Sequence, residues 1–306
     1  MPLPDPDEAI RAVGPWTHRD VSANGARFHV VDAGEGPAVL LLHGFPTFWW
    51  TWRRQLTALA GAGYRSVAMD LRGYGGSDHP PEGYDPRTLA ADVAGVIRCL
   101  GEQEAVIVGH GWGGLAAWST AVLEPEVVRA IVPVAMPHPR RLRHAILRDR
   151  HQRAAVRYAV GFQIPFAPER KLTAHEGERI RSLLAAWSHD DTWLDDATAA
   201  AYRSAFLRWP TAHTAVEYHR WALRSSIRPD GLTYMSLMEA PIQRRVLQVQ
   251  GRHDPMVLPS SVDGSDAYVR ADYRRVDLDA GHFPHEEAAD DFNAALIAWL
   301  AELDRA

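Results

Sequence analysis

The short apolar run Ala105–Val108 (AVIV) leads directly into Gly109-His110-Gly111-Trp112-Gly113-Gly114, and that turn into the apolar stretch Leu115–Leu123. A strand, a glycine-crowded turn and a helix in immediate succession fix the local chain path more tightly than anything else in the sequence. Two readings fit. G-x-G-x-x-G is the dinucleotide fingerprint, in which glycines let a pyrophosphate approach a helix N-terminus. The same layout is an elbow, G-x-Nuc-x-G, whose small flanking residues allow a sharp turn that presents a nucleophile at the sheet edge. The dinucleotide reading needs an acidic ribose ligand about 20 residues on, at the end of the next strand. The segment Ile131–Pro137 (IVPVAMP) has none, and the motif follows at least three earlier strand patterns instead of the first. The elbow reading prevails, and it places Gly111, which has no side chain, at the nucleophile position.

The rest of the chain supplies a sheet for that elbow. Trp16–Ser22 and Arg27–Asp32 read as a hairpin turning at Asn24-Gly25, and Ala38–Leu42 as a strand buried on both faces. Phe48–Ala60 is helical, Ser66–Met69 a strand, Pro86–Leu100 a helix and Ala130–Val134 a strand. Such alternation predicts an α/β fold with a mostly parallel, doubly wound sheet. It stops between about Pro137 and Ala240, where the patterns are helical and rich in Trp, Tyr, His and Arg. It resumes with Arg245–Gln250, a helix near Ser260–Tyr268, a strand near Tyr273–Leu278 and a terminal helix Glu286–Leu303. We therefore expect a core built from residues 1–136 and 241–306, with 137–240 inserted as a helical cap over the strand C-termini, where open sheets bind ligands.

Composition narrows the function classes. The 306 residues carry a net charge of −5, so no global basic field favours nucleic acid or an anionic membrane. Arg140, Arg141, Arg143, Arg148, Arg150, Arg153 and Arg157 follow one another from Arg140 onward. Interleaved Leu142, Ala145 and Ile146 make them a solvated cap face in preference to a nucleic-acid footprint. The single cysteine, Cys99, excludes an intrachain disulfide and a multi-cysteine metal site; its place in an apolar-periodic stretch assigns it to packing. The start, MPLPDPDEAI, lacks the charged opening and apolar run of a secretory signal, and no apolar stretch approaches the roughly 20 residues of a membrane span. A reducing, cytoplasmic setting is expected, without cofactor or metal. The expected partner is a small apolar substrate, and a homodimer is compatible with the sequence.

Three further segments fall where an elbow would need them. His43-Gly44-Phe45-Pro46 follows a buried strand, at the place that supplies one oxyanion-hole N–H, from Phe45; the second comes from the residue after the nucleophile, Trp112. Asp254, in GRHDP after the strand RVLQVQG, stands where an acid would orient a histidine. His282, in AGHFPHEE before the last helix, stands where that base would be. The order nucleophile–acid–base is that of the α/β-hydrolases. Plainer roles suit the neighbours. His43 holds its loop, His110 packs beside the elbow, His285 and Glu286 open the last helix, and Asp70 and Arg72 form a structural loop pair.

Together HGFP, DLRGYGGSD, the GH-x-WGG elbow, GRHDP and GHFPHEE resemble the epoxide-hydrolase branch of the α/β-hydrolases, from Trp16 to Leu303. The resemblance implies a cofactor-free hydrolase acting on a small apolar molecule. In that branch an elbow aspartate attacks the epoxide carbon, an Asp–His pair drives water onto the resulting ester, and two cap tyrosines hydrogen-bond the epoxide oxygen. The first tyrosine is carried over to Tyr158, in YAVGFQ. The second falls in EYHRW, where the family's tyrosine aligns with His219 and Tyr218 is adjacent; either could donate. Haloalkane dehalogenases, close relatives, place an asparagine where Phe45 stands, which ranks that activity lower; an esterase-like hydrolase is ranked lower as well. With Gly111 no covalent ester can form at the elbow. Three explanations stay open: water driven directly onto substrate by Asp254–His282, a ligand-binding relative that kept the pocket, or an engineered removal of the nucleophile.

Overall fold

The computed structural model describes residues 3–305. Its strands are β1 (Thr17–Ala23), β2 (Ala26–Ala33), β3 (Ala38–Leu42), β4 (Arg65–Met69), β5 (Ala105–His110), β6 (Val128–Val134), β7 (Arg245–Gly251) and β8 (Tyr273–Leu278). They form one sheet in the order β1-β2-β4-β3-β5-β6-β7-β8. β2 runs antiparallel to both β1 and β4, and every later neighbouring pair is parallel. The hairpin turns where expected, with Asn24 and Gly25 both at positive φ, the requirement of a two-residue turn whose twist matches its strands. The inner strands read as unbroken apolar runs because both faces are covered: Val39–Leu42 and Val106–Val108 are essentially without exposure.

Strand order also decides where chemistry can be placed. From β3 the chain steps first to β4 on one side and later to β5 on the other, so the connections diverge and leave a crevice beyond the C-terminal ends of β3 and β5. The loop His43–Pro46 leaves β3 there, and Gly111 leaves β5. Between β6 and β7 the chain passes through helices Pro139–Arg148, Arg150–Ala155, Tyr158–Gly161, Ala167–Trp187, Asp196–Leu207, Thr211–Arg224 and Pro229–Leu237. Among the described residues no helix is long and apolar enough to cross a membrane.

Several local expectations change. The elbow helix begins at Trp112, directly after the turn, not at Leu115. The run from Arg140 is two helices, broken at Asp149, whose backbone leaves the helical path and whose carboxylate caps the His151 N–H at 2.7 Å. Arg140 pairs with Glu239 and Arg141 bonds the Ser260 and Asp263 carbonyls, which ties this face to the rest of the chain. The last helix starts at Ala289, after a separate turn Pro284–Glu287. Cys99 is exposed near a helix end, its thiol against the Ser22 carbonyl, so it is not a packing residue. Asp70 and Arg72 do not pair with each other. Asp70 accepts from His29 at 2.8 Å and from the Trp49 and Gly76 N–H groups, while Arg72 makes a two-point ion pair with buried Asp92 at 2.7 and 2.5 Å. Each buried charge thereby has its own partner, as desolvation demands.

Candidate active site

The elbow has the backbone of a nucleophile turn without the nucleophile. Gly111 sits at φ +52°, ψ −115°, a conformation L side chains rarely adopt. Its flanking glycines are needed for close approach: a Cβ on Gly109 would lie 2.1 Å from the Gly113 carbonyl oxygen, and one on Gly113 2.2 Å from that of Leu42. At Gly111 itself a Cβ would meet only the Gly44 Cα, at 3.7 Å, so the space a side chain would take is open. Among the described residues neither the Phe45 nor the Trp112 backbone N–H has an acceptor within the protein. Trp112 is the first residue of its helix, where orphaned N–H groups and the positive dipole end favour an electron-rich guest.

Asp254 and His282 meet. Asp254 Oδ2 accepts from His282 Nδ1 at 2.9 Å and from Gln250 Nε2 at 3.1 Å, while Oδ1 accepts the Met256 and Val257 N–H groups at 2.8 and 2.9 Å. Four donors hold a carboxylate that is 2 % exposed. With Nδ1–H committed to Asp254, the neutral imidazole carries its lone pair on Nε2, which has no partner among the described residues. The loop carrying His282 is fixed from two sides. His282 N–H donates to the Trp187 carbonyl at 2.9 Å, and the His282 carbonyl accepts His110 Nε2–H at 2.9 Å. His110, next to Gly111, therefore ties the elbow to the His282 loop; burial lowers its pKa well below the ordinary histidine value, so it does so uncharged. His285 is likewise buried, with its pKa lowered well below ordinary, and bonds Thr51 at 2.8 Å. His43 accepts the Leu71 N–H at 3.0 Å and holds its loop.

The two neighbours Tyr218 and His219, equivalent in the sequence, separate here. Tyr218 is fully buried and donates its O–H to the Arg72 carbonyl at 2.6 Å, so it is no candidate for substrate contact. His219 stands 4.9 Å, centroid to centroid, from Phe45. It is not a donor, however. Its Nδ1 lies 3.1 Å from the Ala215 carbonyl, which can only accept, so the proton is on Nδ1. Its Nε2 lies 3.3 Å from Trp112 Nε1, which can only donate, and 3.1 Å from the Tyr158 hydroxyl. Both neighbours assign the same tautomer. Burial lowers the His219 pKa to about 4, so at neutral pH the ring is an uncharged acceptor on which two donors, Tyr158 O–H and Trp112 N–H, converge. The indole of Trp112 is the donor that the sequence did not reveal.

This difference gives a paired expectation. Tyr158→Phe removes a donor from the site and should lower kcat/KM by about 10²-fold, the low end for a proton donor, with little change in stability. Tyr218→Phe removes a buried bond to Arg72 and should cost about 1 kcal/mol in urea unfolding while leaving kcat/KM within about twofold. The reverse pattern would exchange their roles.

Comparison with known proteins agrees with this architecture. The sequence profile of the alpha/beta hydrolase fold family matches residues 37–289, and the chain belongs to that family. Epoxide hydrolase 3 of Xenopus tropicalis is 32 % identical over 288 residues, covering 91 % of this chain and 76 % of the relative. Epoxide hydrolase A of Mycobacterium tuberculosis is 29 % identical over 320 residues, covering 95 % and 99 %. The crystal structure of epoxide hydrolase A from Mycobacterium thermoresistibile superposes with a TM-score of 0.81 at 29 % identity, covering 94 % of this chain and 98 % of that one. Within the family the chain is thus an α/β-hydrolase of the epoxide-hydrolase type.

The sequence reading missed the supports of the site as well as Trp112. Gln250 holds Asp254, and the two buried glutamines of its strand, Gln248 and Gln250, were the available signal, since buried polar groups need partners. Glu287 accepts N–H groups from His189, Gly281 and Phe283 at 2.8, 2.8 and 3.0 Å, which joins the base loop to the end of a helix far away in sequence. Nothing local in the sequence signals that contact.

Proposed function

We propose that the protein hydrolyses an epoxide or a related small apolar substrate by driving water directly onto it, without an enzyme-bound ester. The observation that carries this reading is the Asp254–His282 pair with a free Nε2, in a site whose elbow is formed but holds no nucleophile. In this reading residues 137–240 act as a cap, and the rings of Phe45, Phe162, Trp187 and Phe206 make the enclosure apolar. Water occupies the opening above Gly111 and is held by the Phe45 and Trp112 N–H groups, which favour the hydroxide it becomes. His282 Nε2 takes its proton as the oxygen attacks a ring carbon. The carbon–oxygen bond breaks, its electron pair passes to the ring oxygen, and that oxygen is protonated by Tyr158, whose O–H turns from His219 to the substrate; the proton held by His282 returns to Tyr158 through solvent before the next turnover. His219 accepts the Trp112 Nε1–H and, before substrate binds, the Tyr158 O–H, so it holds the two side chains in place and does not itself donate.

The test is turnover by the purified protein on a panel of epoxides, with esters alongside. Diol formation is expected, and it should fall by about 10²–10⁴-fold in His282→Ala. Gly111 also favours a second reading, a binding protein that kept the family's enclosure: saturable binding of the same epoxides with no product would establish it.

A further inference from the structure

Outside the candidate site, two imidazoles and a carboxylate come together on the surface. His189, His253 and Asp279 each present a ligand atom within 4.8 Å of the others. The rings of His189 and His253 stack with centroids 3.8 Å apart, and His253 Nε2 lies 2.9 Å from Asp279 Oδ1. The residues come from three separate parts of the chain: the segment after helix Ala167–Trp187, the loop after β7 and the loop after β8. We infer that these three residues form a binding site for a divalent transition-metal ion of the zinc type. The donor set is the one such ions choose: neutral imidazole nitrogen with one carboxylate oxygen suits zinc, nickel or copper, whereas calcium and magnesium favour oxygen alone. Three protein ligands leave a coordination position for water. All three side chains are exposed, so the small rotations that bring their donors to about 2.0–2.2 Å of one ion meet no packed core. Two stacked imidazoles beside a carboxylate also need no large ordering of the chain when the ion arrives.

The location says what the ion would do. His253 precedes Asp254, Asp279 lies three residues before His282, and His189 belongs to the cap segment whose N–H groups rest on Glu287 together with that of Gly281. An ion shared by the three would staple the cap segment to both loops that carry the proposed acid and base. It would be a structural clamp behind the site, not a participant in the reaction, and its binding does not depend on the hydrolytic reading.

The experiment is calorimetric titration of chelator-treated protein with zinc chloride at pH 7.5, followed by thermal unfolding with and without zinc. One ion per chain should bind, Tm should rise with zinc, and calcium chloride should do neither. His253→Ala and His189→Ala should each weaken zinc binding by more than about tenfold, since losing even a supporting partner of a ligand costs about 10–100-fold, and the double variant should lose both the binding and the Tm shift. Lowering the pH to 5.5 should weaken binding, since imidazole must be unprotonated to ligate. The exposed positions make these variants safe for folding, and circular dichroism checks it. Zinc binding unchanged in the double variant would move the ion to other histidines of the chain, and no heat at millimolar zinc would remove the site; either overturns the inference.

Discussion

Replacing Gly111 by aspartate should install a nucleophile and raise epoxide hydrolysis by at least about 10²-fold, part of the about 10⁶ a triad nucleophile supplies in a serine protease. The expectation rests on space and on preorganisation. A Cβ at this position meets nothing nearer than 3.7 Å, the Phe45 and Trp112 N–H groups have no acceptor among the described residues, and the base is already oriented. The carboxylate would attack a ring carbon, and the two N–H donors would polarise the ester that results. A non-glycine residue at φ +52° carries strain, so the variant should also be less stable by about 1–3 kcal/mol. Combined with His282→Ala, it should accumulate an adduct heavier by the mass of the epoxide, because ring opening by addition loses no atoms. A folded Gly111→Asp protein inert on a broad epoxide panel would show that the enclosure serves another substrate.

In the native background, His282→Ala should lower kcat by about 10²–10⁴-fold, the usual contribution of a general base, with KM changed little because the ring moves a proton and does not anchor the apolar body of the substrate. Asp254→Asn should follow in the same direction through a different cause. A carboxylate can only accept, which keeps the proton on His282 Nδ1 and the lone pair on Nε2. An amide can turn its NH₂ toward the ring and stabilise the opposite tautomer, with the proton where the lone pair is needed. Asp254→Asn should fold, since Oδ1 of residue 254 can still accept the Met256 and Val257 N–H groups. If kcat survives both, the water is activated by a group other than this pair.

The parts of this architecture written in local sequence were the ones that could be read from it. AVIV with its glycines predicts a strand, elbow and helix because the turn itself demands small residues, as between Gly109 and the Gly113 carbonyl, although the contact of Gly113 with the Leu42 carbonyl is distant in sequence. The sheet was legible for the same reason: buried parallel strands are continuous apolar runs. Asp254 and His282 were legible through their places after β7 and β8, although nothing local in the sequence shows the 2.9 Å bond between them. What was hidden depends on long-range partners. Tyr218 and His219 are neighbours on one helix, and only the Arg72 carbonyl on one side and the Tyr158 and Trp112 donors on the other separate them. Asp70 and Arg72 looked like a pair because they are close in sequence, yet His29 and Asp92 hold them apart. Cys99 kept the apolar periodicity of its helix but falls at its last residue, where the buried face has run out.

The central claim, direct attack by water in a site without a nucleophile, is tested most directly by the source of the new oxygen in a single turnover. Protein in excess over epoxide, in water enriched in ¹⁸O, should give diol carrying one ¹⁸O atom from the first turnover, with no label and no added mass on the protein. Unlabelled diol from that first turnover, with ¹⁸O appearing in a side-chain carboxylate, would mean that an aspartate or glutamate had attacked first and would contradict the account.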